Sequence, residues 1–291
     1  MTDYSELFRA LAIPRLVGTP NHQQVREILK RELAARGFAV EEHAFSGRPS
    51  PMLFGSPRRT AGVNLIAWPA GPSVRPPIWL IAHYDSKGQP ISMAVRLMGF
   101  VALFAGLGGL LFGPVPAALL LLIALLIISQ NRVTDNSPGA VDNASALVAV
   151  FMALDQLPDN GTVGVIFPDA EEFGLLGARA LAAERAALFA DACVINLDGL
   201  DDAGRPIVLL HKPGAIGTAV AAALGARRAR WLPVIVDGIA LAAVAAECCT
   251  ILKGNWRTMR IVHRPGDTAA RVRLDGAAAV AAGLARVLRT A

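Results

Sequence analysis

Short apolar runs alternate along the chain with segments whose apolar residues recur at helical spacing. The runs at 63–68, 78–82 and 192–197 are almost wholly apolar and are typical of strands buried on both faces. Between such runs, segments like 21–36 carry apolar residues on one helical face and end at a glycine. This alternation predicts an α/β fold of three layers, α/β/α, forming one domain across all 291 residues. The predicted strands are 38–45, 63–68, 78–82, 162–167, 192–197, 206–210, 231–236 and 250–253.

One segment departs from this alternation, because residues 97–129 contain no charged side chain. The chain is 54% hydrophobic, and much of the excess lies here. A helix of that length would extend about 50 Å, beyond a hydrocarbon core of about 30 Å. Gly113 and Pro114 break the segment near its middle, so we expect a hydrophobic helical hairpin.

Two interpretations of this hairpin are open. Arg96 and Arg132 flank it, and positive flanks favour the cytoplasmic side of a membrane. The first hypothesis is a membrane-associated protein that enters the bilayer through 97–129, with its catalytic domain on the cytoplasmic face. In the second, the hairpin is an apolar arm buried between subunits of a homo-oligomer.

Charge and cysteine content narrow the class of protein. The net charge is +5, but no basic run is interleaved with aromatic residues, so we expect no nucleic-acid partner. The three cysteines, Cys193, Cys248 and Cys249, form no disulfide framework. An odd number of cysteines without a disulfide framework fits a reducing compartment.

Candidate chemistry clusters around Asp142, which sits in Gly-Ala-Val-Asp-Asn-Ala-Ser just before an apolar helix. Three further acidic or histidine-containing stretches follow or end predicted strands, and a fourth lies on a late loop. Active sites of open α/β sheets lie at the carboxyl ends of the strands. The stretches are His83-Tyr84-Asp85, Asp169-Ala170-Glu171-Glu172, Asn196-Leu197-Asp198 and His263-Arg264-Pro265-Gly266-Asp267-Thr268.

These stretches contain the ligands that two neighbouring divalent ions require. We predict that Asp142 bridges the ions, with His83 and Asp198 on one and Glu172 and His263 on the other. Two imidazoles and three carboxylates suit zinc, at two ions per chain.

Two more acids have predicted catalytic roles. Asp85 lies two residues from His83 and could accept its second ring N–H, which would fix the tautomer. Glu171 precedes Glu172 and is predicted to be the general base that deprotonates the attacking water and later protonates the leaving amine. Asp201 and Asp202 are alternatives to Asp198, although they lie in a turn-like segment. The remaining histidines, which lack comparable neighbours, are His22, His43 and His211.

With these motifs in order, the chain resembles the co-catalytic di-zinc aminopeptidase family. That family includes secreted bacterial leucyl aminopeptidases and, more distantly, glutaminyl cyclases and glutamate carboxypeptidase. The resemblance covers about residues 15–290 and implies a mixed central sheet flanked by helices, two Zn²⁺ ions and hydrolysis of an N-terminal peptide bond. It also implies that the five ligands and Glu171 carry over without a gap. The matching motifs are 83–86, 138–145, 169–177, 196–198 and 263–268.

Two departures from the family pattern stand out. Residues 89–136 form an insertion between the His83 and Asp142 motifs, where the family has a short loop, and this insertion contains the apolar hairpin. Val262 stands where the family usually has a tyrosine, so no phenol should be assumed there to stabilise an oxyanion.

The expected function is therefore that of a metal-dependent aminopeptidase whose substrate is a peptide or small amide. A glutaminyl-cyclase-like enzyme, or another amidohydrolase on the same fold, is the alternative. A third hypothesis, from a different class, is a membrane scaffold without turnover.

Overall fold

A single mixed sheet forms the frame of the protein in the computed structural model, which describes residues 2–70, 75–158 and 162–290. In these ranges eight strands pair in the order β1-β2-β4-β3-β5-β8-β6-β7. The neighbours β4, β3, β5 and β8 run parallel, whereas β1 and β2 on one side and β6 on the other add antiparallel pairs. The strands are β1 (Phe38–Gly47), β2 (Thr60–Pro69), β3 (Ile78–Ile81), β4 (Val163–Phe167), β5 (Cys193–Leu200), β6 (Arg205–Lys212), β7 (Arg227–Ala229) and β8 (Glu247–Gly254).

Helices cover both faces of the sheet. Leu80 of β3 packs in the core beneath α1, α2, α5, α7 and α9, while its neighbours Trp79 and Ile81 pack on the opposite face against α6 and α8. All four residues of β3 and all five of β4 are buried, which explains their continuous apolar sequences. The predicted mixed α/β fold is confirmed. The helices are α1 (Tyr4–Leu11), α2 (Pro20–Ala35), α3 (Met93–Gly109), α4 (Pro114–Ile128), α5 (Ser145–Leu154), α6 (Leu176–Glu184), α7 (Ala215–Ala223), α8 (Asp237–Leu241) and α9 (Asp275–Leu288).

One predicted strand is wrong. Residues 231–236 are not a strand, and the edge strand β7 lies earlier, at Arg227–Ala229. Pro233 has no N–H to donate to a ladder, which disfavours a paired strand at this position. The hydrophobic pattern did not predict β7 because two of its three side chains are charged. As an edge strand that pairs with β6, it does not need an apolar face.

The helices α3 and α4 form an apolar pair that packs through small residues. Gly99 and Gly106 of α3 approach Ile127 and Leu121 of α4 so closely that an added Cβ would clash. Ala117 and Ala124 of α4 are buried, whereas most of the larger apolar side chains of the pair remain exposed.

The membrane prediction for this segment is wrong. The helices have 17 and 15 residues, giving lengths of about 25 Å and 22 Å, short of the roughly 30 Å hydrocarbon core. Nowhere in the described ranges is there a helix with the length and apolarity needed to span a bilayer. This finding overturns the predicted membrane association with the domain on the cytoplasmic face. The assignment of 89–136 as an insertion and its alternative use between subunits stay predictions.

Candidate metal centre

Asp142 lies in a tight loop that leads into α5. The loop begins at Gly139 with a φ of +58°, and a Cβ there would lie 2.4 Å from the carbonyl oxygen of Asp142. Only glycine fits such a left-handed, close-packed position. The backbone N–H groups of Val141 and Asp142 donate to the carboxylate of Asp267, at 2.8 and 3.3 Å. The loop is thereby held with the Asp142 carboxylate facing the strand ends.

Each oxygen of the Asp142 carboxylate faces a different histidine. His83 Nε2 lies 3.1 Å from Asp142 Oδ1 and 4.0 Å from Asp198 Oδ1. His263 Nε2 lies 3.0 Å from Asp142 Oδ2 and 2.9 Å from Glu172 Oε1. Asp142 is therefore shared by two groups of three candidate ligands.

The topology explains how residues so far apart in sequence meet. His83 and Asp85 directly follow β3, Glu172 follows β4, and Asp198 lies in β5. Because β3 lies between β4 and β5 and runs parallel to both, the carboxyl ends of all three strands share one edge. The structure thus brings together all five residues predicted as metal ligands, and their role as ligands stays a prediction.

The arrangement of these atoms fits a bound cation. His263 Nε2 carries at most one hydrogen, yet it lies within 3.0 Å of two carboxylate oxygens. Glu172 Oε1 is buried and accepts no hydrogen bond from the described residues. In each group the three candidate ligand atoms lie within 4.8 Å of one another, which is the scale set by one ion with bonds of about 2.0–2.2 Å to nitrogen and oxygen. The donor set, two imidazoles with three carboxylates, suits zinc.

Electrostatics keeps two of the carboxylates ionised. Burial raises the pKa of Asp142, but hydrogen bonds from His263 and His83 outweigh it and hold that pKa well below its usual range. Burial also opposes ionisation of Glu172, but the positive charges of His263 and Lys87 lower its pKa to about 2. Lys87 Nζ lies 3.1 Å from Glu172 Oε2, which leaves Oε1 facing the site.

Two other acids behave in the opposite way. Burial raises the pKa of Glu171 well above its usual range, and the positive charge of nearby His83 does not cancel this effect. Burial raises the pKa of Asp198 to about 7. A carboxyl group with a raised pKa can both take up and return a proton, as a general base that later acts as an acid requires.

Asp85 holds two loops together. Its carboxylate accepts the backbone N–H groups of Glu171 and Glu172, at 3.1 and 3.2 Å. Its Oδ1 lies 3.4 Å from His83 Nδ1, which makes no hydrogen bond to the described residues. The predicted contact between Asp85 and His83 is therefore long. The sequence did not predict the hydrogen bonds from the Glu171 and Glu172 backbone to Asp85.

Sequence reasoning missed other residues that build the site. Arg15 is fully buried and donates to the carbonyls of Tyr84 and Gly139, at 2.7 and 3.1 Å, so it joins the loops that carry His83 and Asp142. Asp237 at the start of α8 is also fully buried, and burial raises its pKa to about 8. In the sequence, Arg15 and Asp237 differ from other polar residues only in being charged residues among apolar neighbours.

The three histidines that have no acidic motif beside them, His22, His43 and His211, lie outside both ligand groups. His22 Nε2 contacts Asp169 Oδ1 at 2.8 Å, and His211 Nε2 contacts the Thr250 hydroxyl at 2.8 Å. His43 contacts Glu184 at 2.9 Å.

Comparison with known proteins identifies the class. The family model described as Peptidase family M28 matches residues 64–288, so the chain belongs to peptidase family M28. A search of curated proteins found no matching sequence.

Solved structures show the same fold at low sequence identity. Glutaminyl cyclase from Porphyromonas gingivalis superposes with a TM-score of 0.69 and 19% identity, over 99% of this chain and 96% of that chain. The zinc aminopeptidase BSAP from Bacillus subtilis gives 0.66 and 11%, over 99% and 94%. The aminopeptidase from Aneurinibacillus sp. strain AM-1 gives 0.65 and 12%, over 99% and 93%. The family implies a zinc hydrolase, and the neighbours include both aminopeptidases and glutaminyl cyclases.

Proposed function

We propose that this protein is an aminopeptidase that hydrolyses N-terminal peptide bonds with the help of two zinc ions. One observation carries the proposal: the two oxygens of Asp142 face separate groups, one containing His83 and Asp198 and the other containing Glu172 and His263. A carboxylate shared in this way is what two neighbouring cations need.

These five residues would hold the ions. Zinc bound there would supply Lewis acidity, polarising the scissile carbonyl and lowering the pKa of a coordinated water. Asp142 and Glu172 ionise readily in the metal-free site, because protonated histidines beside them lower both pKa values. A bound cation would displace those protons, so that His83 and His263 would act as neutral nitrogen ligands on opposite sides of Asp142.

Glu171 is the residue that moves the proton in this proposal. Its side chain is 7% exposed, and burial raises its pKa well above the usual range. Its backbone N–H is fixed by Asp85, and it adjoins the ligand Glu172. Glu171 would accept the proton of the attacking water and give it to the leaving amine.

A glutaminyl-cyclase-like activity is the second candidate, favoured by the similarity to the Porphyromonas gingivalis cyclase. In that case the substrate's own α-amine would attack the side-chain amide of an N-terminal glutamine, releasing ammonia. Both activities need a carboxyl group that takes and returns a proton, so Glu171 alone does not separate them.

Glu171→Gln tests the proposal, with the exposed Glu6→Gln as the matched control. Each protein is loaded with zinc and assayed on a panel of aminoacyl arylamides and on a glutaminyl dipeptide, before and after chelation. We expect Glu171→Gln to lower kcat about 10²–10⁴-fold, because the amide cannot accept the proton. Zinc content and the activity of Glu6→Gln should stay at the wild-type level.

The products separate the candidates. Arylamine release that chelation and Glu171→Gln abolish supports the aminopeptidase. Ammonia and a pyroglutamyl product from the dipeptide, with no arylamide cleavage, would replace it by the cyclase. Zinc-loaded protein that turns over neither substrate would refute both.

A further inference from the structure

The ring of His263 has a second set of contacts on the side away from Asp142. Its Nδ1 lies 3.2 Å from Gln89 Oε1 and 2.9 Å from Arg96 Nη2. Gln89 precedes α3 and is fully buried, and its backbone N–H donates to the carbonyl of His263 at 2.8 Å. The segment that carries α3 and α4 therefore contacts a candidate metal ligand on the side of its ring opposite Asp142.

A chain of amides fixes which atom of Gln89 faces His263. Asn131, just after α4, donates its Nδ2 to the backbone carbonyl of Met52. A carbonyl only accepts, so the orientation of the Asn131 amide is determined, and its Oδ1 must face Gln89. That oxygen also only accepts, so Gln89 turns its Nε2 towards Asn131. The remaining atom, Gln89 Oε1, then faces His263 Nδ1.

The tautomer of His263 follows from this orientation. Because Gln89 Oε1 can only accept, its bond requires a hydrogen on His263 Nδ1. A neutral ring with that hydrogen has its lone pair on Nε2, the atom that faces Asp142 and Glu172. That lone pair is what a cation binds.

We infer that Gln89 is a positioning residue, which together with Asn131 holds His263 in the tautomer that binds a metal ion through Nε2. The inference deepens the proposed function and rests on its metal centre. Residues at both ends of the α3–α4 segment thereby help to orient a metal ligand.

Arg96 acts in the opposite direction. A guanidinium only donates, so its 2.9 Å contact requires a bare Nδ1 and a hydrogen on Nε2. Arg96 therefore favours the tautomer that cannot bind a cation through Nε2, and its positive charge adds to the repulsion of one. The two neighbours of Nδ1 should change metal affinity with opposite signs.

Zinc affinity is the direct test, measured on metal-free protein by competition with a chromogenic chelator. Gln89→Leu should weaken zinc binding about 10–100-fold, the usual loss when an outer partner of a ligating histidine is removed. Gln89→Glu keeps an oxygen that accepts from Nδ1 but loses the donor to Asn131 Oδ1, so it should restore part of the affinity. Arg96→Met should bind zinc at least as tightly as wild type.

The matched control is Gln130→Leu, the same change next to Asn131 on an exposed side chain whose amide donates to the Ser129 hydroxyl. It should leave zinc affinity unchanged. The urea midpoint of each metal-free variant checks that the fold is intact.

A measurement on the unmodified chain covers the case in which Gln89→Leu does not fold. In zinc-loaded protein labelled with ¹⁵N-histidine, the Nδ1–H of His263 should be protected from exchange with solvent, because Gln89 Oε1 accepts it. Wild-type affinity in Gln89→Leu, or a rapidly exchanging Nδ1–H on zinc-loaded His263, would overturn the inference. Wild-type protein that binds no zinc would instead refute the proposed function.

Discussion

Arg15 shows how single buried charges build this site. Its guanidinium donates to the carbonyls of Ile13, Tyr84 and Gly139, and burial lowers its pKa to about 10. These carbonyls lie on loops that are distant in sequence, so one side chain joins the amino-terminal segment to the His83 and Asp142 loops.

Replacing Arg15 by methionine keeps the apolar stem and removes every donor. Each buried carbonyl left without a partner costs about 1–3 kcal/mol, so we expect Arg15→Met to lower the free energy of unfolding by about 3 kcal/mol in urea denaturation. Arg9→Met, on an exposed face of α1, should change it by less than about 0.5 kcal/mol. Equal effects of the two substitutions would show that the Arg15 contacts contribute nothing to stability.

The residues of the candidate site differ in how far the sequence could predict them. His83, Glu172 and Asp198 could be found because each follows or ends an apolar strand and belongs to a recognisable motif. Arg15 and Gln89 could not, because their roles depend on partners more than a hundred residues away. No local pattern distinguishes such a side chain from an ordinary polar residue.

Glycine residues allow α3 and α4 to pack closely against each other. A Cβ at Gly106 would lie 2.8 Å from Leu121 Cγ and 3.1 Å from the Leu121 backbone nitrogen, whereas nothing lies within 4 Å of a Cβ at Gly108. Both residues lie within α3, where alanine has a higher helix propensity than glycine.

Alanine substitutions at these two glycines should therefore change the stability of the protein in opposite directions. Gly108→Ala should stabilise the protein by about 0.5–1 kcal/mol through helix propensity. Gly106→Ala should destabilise it by about 1–3 kcal/mol, because the added methyl group forces the helices apart. Thermal unfolding compares them, and a stabilising Gly106→Ala would contradict the close approach of α3 and α4.

Prediction at the scale of elements succeeded where apolar residues form short continuous runs. The buried strands β3, β4 and β5 were found because both of their faces need apolar residues. Gly113 and Pro114 marked the break between the two apolar helices of 17 and 15 residues. Hydropathy alone does not show what covers an apolar surface, which is why the predicted membrane association was wrong.

At the scale of the whole molecule, the outer surface of α3 and α4 is the largest unexplained feature. Large apolar side chains are exposed on both helices and in the turn between them, where Leu111 is 85% and Phe112 is 92% exposed. Monomeric proteins rarely expose a large contiguous apolar patch, and such a patch commonly marks a surface that another molecule covers. The subunit-interface prediction for this segment can therefore be tested.

If a second copy covers this surface, the protein elutes from a sizing column in detergent-free buffer as an oligomer of its 30.5 kDa chain. Replacing Leu111 and Phe112 by lysine should then give a single chain with unchanged zinc content. Trp231→Lys, at a side chain that is 76% exposed elsewhere on the molecule, is the matched control and should remain oligomeric. A wild-type protein that elutes as one chain would refute the prediction.

The number of zinc ions per chain tests the central claim most directly, since the claim is that Asp142 joins two ligand groups into one centre. Metal analysis of desalted protein should find two ions in the wild type. His83→Ala and His263→Ala should each retain one, and Asp142→Asn should lose both or nearly so. One ion in the wild type that His83→Ala leaves in place would contradict the two-metal centre.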